Sequence, residues 1–181
     1  MAREDVISAA AREFAARGYH ATSIEDLLAA TGLTRGGLYH YIDGKHDLLI
    51  AVQQELLAPL LTSAREAASA HEDGEAKLRA VVRVWVRHVE THRDHMVVFA
   101  AERRLVESDP RWDGIREQRE AFEALLDEVL AGDSLTRLAL LGMVNHMPTW
   151  FDPAGRLSAQ EIADGFVDLL LSGARSAPAR A

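Results

Sequence analysis

The sequence predicts an all-α chain, and three observations carry that expectation. Apolar residues recur three and four apart along almost the whole length, no segment alternates as a half-buried strand would, and Gly, Pro and Asp clusters punctuate the periodic stretches. At 181 residues the chain suits one domain, or a small module fused to a larger one that supplies most of the core. It has no cysteine, which excludes disulfides, thiol nucleophiles and thiolate metal sites. The opening MAREDVISAAAREFAARG carries acids and lacks an apolar core, so no secretory leader is expected. No apolar run reaches membrane-spanning length, so the expected location is cytoplasmic and no membrane partner is expected.

The first helix is expected over Arg3–Arg17, with Val6, Ile7, Ala10, Ala11 and Phe14 on its inner face and Gly18 placed to end it. TSIE, from Thr22 to Glu25, reads as a capping box in which the Thr22 hydroxyl accepts from the Glu25 amide and the Glu25 side chain reaches back. The second helix then turns Ile24, Leu27 and Leu28 inward, and Gly32 ends it. Thr34 caps a third, short helix anchored by Leu38 and Ile42, and Asp43 caps a fourth that runs to residue 71. That fourth helix spans about 40 Å, enough to join a small head to a separate body. Five more helices are expected over 75–93, 95–107, 110–131, 134–150 and 158–174, divided by EDG, RD, SDP, GD and FDPAG. The expected organisation is about nine helices, with a head at 1–49, a body at 50–174 and a flexible tail at 175–181.

The net charge of −8 argues against a broad nucleic-acid coat, whose footprint is basic. Residues 1–45 hold five Lys or Arg against six Asp or Glu, so seven of the eight excess negative charges fall on 46–181. Any DNA contact is therefore local. TGLTRGGLYHYIDGKHDLL, residues 31–49, breaks helix rules twice. Gly36 and Gly37 sit together in a short helix, where each costs about 1 kcal/mol relative to alanine. Lys45 opens the next helix, where the macrodipole disfavours a cation.

Both misfits make sense beside DNA. Two short helices joined by a glycine-containing turn and preceded by a packing helix form a helix-turn-helix, whose second helix enters the major groove N-terminus first. That presents Thr34, Arg35, Gly36 and Gly37 to base edges. Arg35 can grip guanine with both guanidinium nitrogens or pair with phosphate, and the glycines let the backbone come close. Tyr39 and His40 can reach phosphates, and Lys45 would strengthen the phosphate attraction of a helix start. A head used for protein contacts, or only structurally, is the competing reading.

AAREFAARGYHATSIEDLLAATGLTRGGLYHYIDGKHDLL, with its capping box, turn glycine, Leu38-Tyr39-His40 run and Lys45, resembles the DNA-binding head of the TetR family of one-component repressors. The resemblance implies phosphate contacts from Thr22 and Tyr39, Arg35, Gly36 and His40 in or near the groove, and Lys45 on the DNA backbone. It departs from the family at Gly37, which usually carries a small hydrogen-bonding side chain, and at Ile42, usually aromatic. The implied partner is double-stranded operator DNA with two half-sites.

SLTRLALLGMVNHMPTWF is apolar around most of its circumference. The last helix carries two apolar stripes, Ile162, Phe166, Leu169 and Leu170 beside Ala163, Val167 and Leu171, and so needs two packing partners. Burial within one chain would satisfy them; the TetR resemblance implies instead a homodimer through the last two helices. Large residues with polar tips or aromatic faces are candidate ligand contacts: Trp85, His88, Phe99, Arg103, Trp112, Phe122, Asn145, His146 and Trp150. Plain core is the alternative for each. NHMPTWFDPAGRLSAQEIADGF is similar to the C-terminal part of TetR-like regulators that sense acyl-CoA thioesters, and arginines 79, 83, 87, 103 and 104 could meet the phosphates of such an effector. His88, His92 and His95 share zinc-like spacing, but no second ligand cluster accompanies them, so neither metal nor cofactor is expected. No nucleophile elbow, HExxH or phosphate-cradling glycine loop is present. The expected function is a ligand-released repressor; an α-helical enzyme acting on an ester, or a metal-responsive regulator, is the alternative.

Overall fold

The computed structural model describes residues 2–102 and 109–176. Among these are nine α-helices, two 3-10 turns and no strand, as the apolar periodicity requires. The helices are α1 (Arg3–Arg17), α2 (Ile24–Thr31), α3 (Arg35–Tyr39), α4 (Lys45–Ser69), α5 (Gly74–Thr91), α6 (Arg93–Ala101), α7 (Asp113–Val129), α8 (Ser134–His146) and α9 (Ala159–Ser176). No helix among the described residues is long and apolar enough to cross a membrane. The expected 134–150 helix ends at His146, because Pro148 cannot donate to the ladder and the chain tightens into a 3-10 turn at Met147–Thr149. The end expected for the sixth helix at residue 107, and tail positions 177–181, lie outside the described residues.

The chain divides into two compact units, Met1–Pro59 with His92–Arg119, and Leu60–Thr91 with Glu120–Ala181. In the first, α1 packs against both α2 and α6. Val6, Ile7, Ala10, Ala11 and Phe14 of α1 join Leu27, Leu38, Ile42, Leu48, Leu49, Val52, Val98, Trp112 and Ile115 in one buried cluster. Burial of side chains of this size stabilises the unit by roughly 1.5–3 kcal/mol each. The head's core is thus completed by residues more than fifty positions downstream.

The cap of α2 is one residue later than TSIE suggests. Ser23 is extended and its Oγ accepts from the Asp26 amide at 3.1 Å, while the Asp26 carboxylate accepts from the Ser23 amide at 2.9 Å. Two overlapping boxes, Thr22 to Glu25 and Ser23 to Asp26, both satisfy the sequence rule. Burial decides between them, because Thr22 is turned inward and only 1% exposed.

In the second unit α9 packs along α5. Arg83 holds Asp164 through Nε at 2.7 Å and Nη2 at 2.8 Å, and Arg79 reaches Asp168 at 2.8 Å and Glu75 at 3.0 Å. These hydrogen bonds hold the Asp164 carboxyl below its ordinary pKa and raise both guanidinium groups above theirs. Beneath them Trp85 meets Phe122 edge-on at 4.9 Å, and Ile162, Ala163 and Val167 are buried.

His95 on α6 is 8% exposed, and burial first, then the neighbouring His92, pushes its imidazole down to about 4. Glu55 lies 3.8 Å from its Nε2, Asp94 opposes the downward shift, and Arg12 of α1 reinforces it. An unfolded histidine takes its proton near pH 6.5, so between about 6.5 and about 4 the unfolded chain binds a proton that the folded chain refuses. Stability contributed by neutral His95 is complete above that window and is lost as pH falls through it, by up to about 1.4 kcal/mol per pH unit. Chemical denaturation of His95→Phe from pH 7 to 4 should show a shallower acid limb than the unaltered chain; parallel limbs would contradict this account.

Candidate functional site

The sequence-predicted DNA contacts fall on one short element and its flanks. Thr34 caps α3 by accepting from the Gly37 amide at 3.2 Å, and Leu38, fully buried, pins the helix to the head. This turns Thr34, Arg35, Gly36 and His40 outward, with Tyr39 42% exposed. A Cβ placed on Gly36 would meet nothing within 4 Å. One on Gly37 would press on the Thr34 cap oxygen at 3.3 Å and on Leu33 at 3.7 Å. The two glycines therefore differ: Gly37 makes room for the cap, whereas Gly36 leaves an uncovered strip of backbone. No internal packing asks for glycine at Gly36.

Arg35 pairs with Glu25 of α2, a partner the sequence reading missed although Glu25 belongs to the motif that drew attention to the helix. Both side chains are mostly exposed, at 60% and 68%, so the bridge is worth about 0–1 kcal/mol and can be exchanged for another acceptor. It orients a guanidinium fork on the outer face of the head.

Two of the predicted contacts make hydrogen bonds within the chain. Thr22 does not offer its hydroxyl outward: Oγ1 donates to the Gly18 carbonyl at 2.9 Å and lies 3.4 Å from the Glu13 carbonyl, closing the turn between α1 and α2. Lys45 does not extend from the start of α4 into solvent. Its Nζ donates to the carbonyls of Tyr19 and Thr22, each at 2.8 Å, and of His20 at 3.4 Å, and sits 4.5 Å from the centre of the Tyr19 ring. In this structure the ammonium donors are directed at backbone carbonyls of the turn between α1 and α2.

The described candidate ligand residues divide between the two units. Trp112 is fully buried in the first unit, edge-on to His46 at 5.5 Å, and Phe99 packs on the same cluster. Trp85 and Phe122 form the aromatic centre of the second unit. There Asn145 is half-buried, His146 is exposed, and Trp150, 49% exposed, lies against Phe166. Arg103 and Arg104 lie outside the described residues. Two cavities open in the second unit. The larger, about 630 Å³, is lined by Arg65, Glu72, Lys77 and Glu128 around an apolar floor that includes Ala68, Ala121, Ala124 and Leu125. The smaller, about 330 Å³, is lined by Ser63, Arg83, Val84, Arg87, His88 and Thr91, and so includes the candidate His88. Arg79 and Arg83 are taken up by carboxylates. Among the described residues no three His, Asp or Glu side chains converge as metal ligands.

Residues 6–52 match the model of the bacterial regulatory proteins of the tetR family, and residues 71–174 match the tetracyclin repressor-like C-terminal domain. The HTH-type transcriptional repressor KstR2 of Rhodococcus jostii is 24% identical over 191 residues, covering 96% of this chain and 91% of that protein. The solved structure of KstR2 from Mycobacterium tuberculosis aligns with a TM-score of 0.86 at 22% identity, over 94% of this chain and 93% of that one. AibR, solved in complex with isovaleryl coenzyme A and operator DNA, aligns with a TM-score of 0.79 at 25% identity, over 92% of this chain and 96% of that one.

Removing the Lys45 ammonium without its stem isolates the clamp. Lys45→Met should lower unfolding free energy by about 2 kcal/mol, the scale of hydrogen bonds made by a charged donor. Urea unfolding measures this. The salt dependence of DNA binding should keep its slope, whereas a phosphate-bound lysine would flatten it by about one unit.

Proposed function

The chain belongs to the tetR family of bacterial regulatory proteins, and from that membership we propose that it is a ligand-responsive repressor of transcription. In this reading residues 1–49 bind operator DNA, residues 50–174 bind a small effector and pair with a second copy, and effector entry releases the operator. The ester-hydrolase alternative is dropped, because the family and its relatives are transcriptional regulators. A regulator of this kind works in the cytoplasm, where its DNA lies.

The observation that carries the reading is the outer edge of α3. Thr34, Arg35 and Gly36 are exposed side by side on a helix locked from behind by Leu38, and the glycine has no internal reason to be there. Such an edge fits into a major groove, where Arg35 can trade its exposed bridge to Glu25 for guanine or phosphate and the bare backbone at Gly36 can touch the DNA wall. The head carries almost no net charge, so affinity comes from this close fit and from pairing two heads on two half-sites.

Gly36→Ala tests the trade. Alanine in a helical position with open surroundings should stabilise the head by about 0.5–1 kcal/mol in urea unfolding. Operator affinity measured by fluorescence anisotropy should fall tenfold or more. A variant that is stabilised and still binds operator at full affinity would count against the α3 edge as the reading surface.

Pairing is supported by α8 and α9, which leave Leu135 (68%), Leu138 (59%) and Leu169 (68%) exposed, with Trp150 nearby in sequence at 49%. Large apolar side chains uncovered on two helices of one unit suit an isologous four-helix contact. Val167 on the same helix is fully buried against its own chain and would report folding instead. Leu169→Glu should leave the helical content intact, sediment as a monomer at micromolar concentration and lose operator binding. A variant that remains dimeric would remove this face from the interface.

For the effector we propose an acyl-CoA thioester. Support comes from AibR, whose structure contains isovaleryl coenzyme A, and from the 145–166 stretch.

A further inference from the structure

α4 reads LLIAVQQELLAPLL around a polar residue at a core position, and Gln53 is fully buried there. Neither Nε2 nor Oε1 of its amide has a hydrogen-bond partner in the protein. A buried amide with both ends unmatched is costly, and an apolar side chain of the same size would relieve the cost. Gln53 lies seven residues after His46, two helical turns along the same face of α4. The Nε1 of Trp112, whose ring meets His46 edge-on at 5.5 Å, is also buried without a hydrogen-bond partner, and His46 Nε2 lies 3.9 Å from the Asp109 carboxylate. All three belong to the first unit. His46 and Gln53 are about 10 Å apart along one face of α4.

We infer that the Gln53 amide is a hydrogen-bonding contact of the effector site and takes an uncharged group of the ligand, a carbonyl or amide. The inference rests on the effector-released reading above. An amide both donates and accepts, which matches a thioester carbonyl or the amides of a pantetheine arm. Gln53 and the Trp112 indole are neutral, so an ionised end of the ligand would lose its hydration against dipoles alone. The position also accounts for coupling. Gln53 lies eight residues, about 12 Å, along α4 from Lys45, whose ammonium holds the turn between α1 and α2. A ligand bonded to Gln53 therefore acts on the helix that positions the head.

The test uses isovaleryl coenzyme A and the uncharged isovaleryl N-acetylcysteamine thioester as probes, with the full-length chain bound to its operator. Both should bind by calorimetry and release the operator. Gln53→Met, which keeps the volume and removes the amide, should bind operator normally, have a Tm equal to or above that of the unaltered chain, and need at least tenfold more of either probe for release. Unchanged response of Gln53→Met to both probes overturns the role of Gln53 and leaves the repressor reading standing. Binding of the coenzyme A ester without the uncharged one overturns recognition through an uncharged group. A lowered Tm in Gln53→Met shows that the amide is satisfied within the protein, which also overturns the inference. If neither probe binds a chain that still binds operator, the thioester assignment and this inference fall together, and the repressor reading remains.

Discussion

The head depends on one ammonium group. The turn from Tyr19 to Thr22 joins α1 to α2 and aims three backbone carbonyls at nearly one point, where no backbone amide can meet them all. Lys45 supplies three donors on a flexible stem, threaded beside the Tyr19 ring so that cation and π-face add to the hydrogen bonds. The contact spans more than twenty residues of sequence and fastens the first turn of α4 to the loop that orients the helix-turn-helix. A cation at a helix start is unfavourable for that helix in isolation. Here the carbonyls across the turn offset the conflict, since they complete its charge locally.

The same economy governs the core. α1 is apolar enough to face two partners, and it packs against both α2 and α6. Trp112 enters this cluster from a short turn that Asp109 caps through the Arg111 amide at 3.0 Å, and it is fully buried although its indole nitrogen has no protein partner. Polar atoms without a hydrogen-bond partner inside the first unit include those of Gln53, Trp112, His95 and Gln118, beside a cluster closed by apolar packing. Buried polar groups without partners are where a packed core is open to chemistry.

In the second unit charge does the complementary work. Arg79 and Arg83 lie on one face of α5 and meet the acids that α9 presents at Asp164 and Asp168, while Arg137 of α8 reaches Glu123 of α7 at 2.7 Å. These bridges are partly exposed, so each adds little stability; what they set is the register of one helix on the next. That leaves apolar leucines of α8 and α9 facing outward, where a second copy can cover them.

The sequence by itself determined the helical class, the extent of α1, the existence of the short helices of the head and many of their inward residues, because these depend on interactions within a few residues: periodicity, caps and glycine. It also drew attention to Gly36, Gly37 and Lys45, since a local rule broken without local compensation is visible in the string. Tertiary structure alone decided what the long-range partners are. Thr22 or Ser23 could each cap α2, and burial chose Ser23. Lys45 matched a phosphate contact on position, yet its acceptors lie across a turn more than twenty residues earlier. Trp112 and Trp85 look alike as residues and belong to separate units, and the basic stripe of α5 turned out to be matched by acids some eighty residues downstream. A side chain's spacing along its own helix says which way it points, but only the fold says what stands opposite.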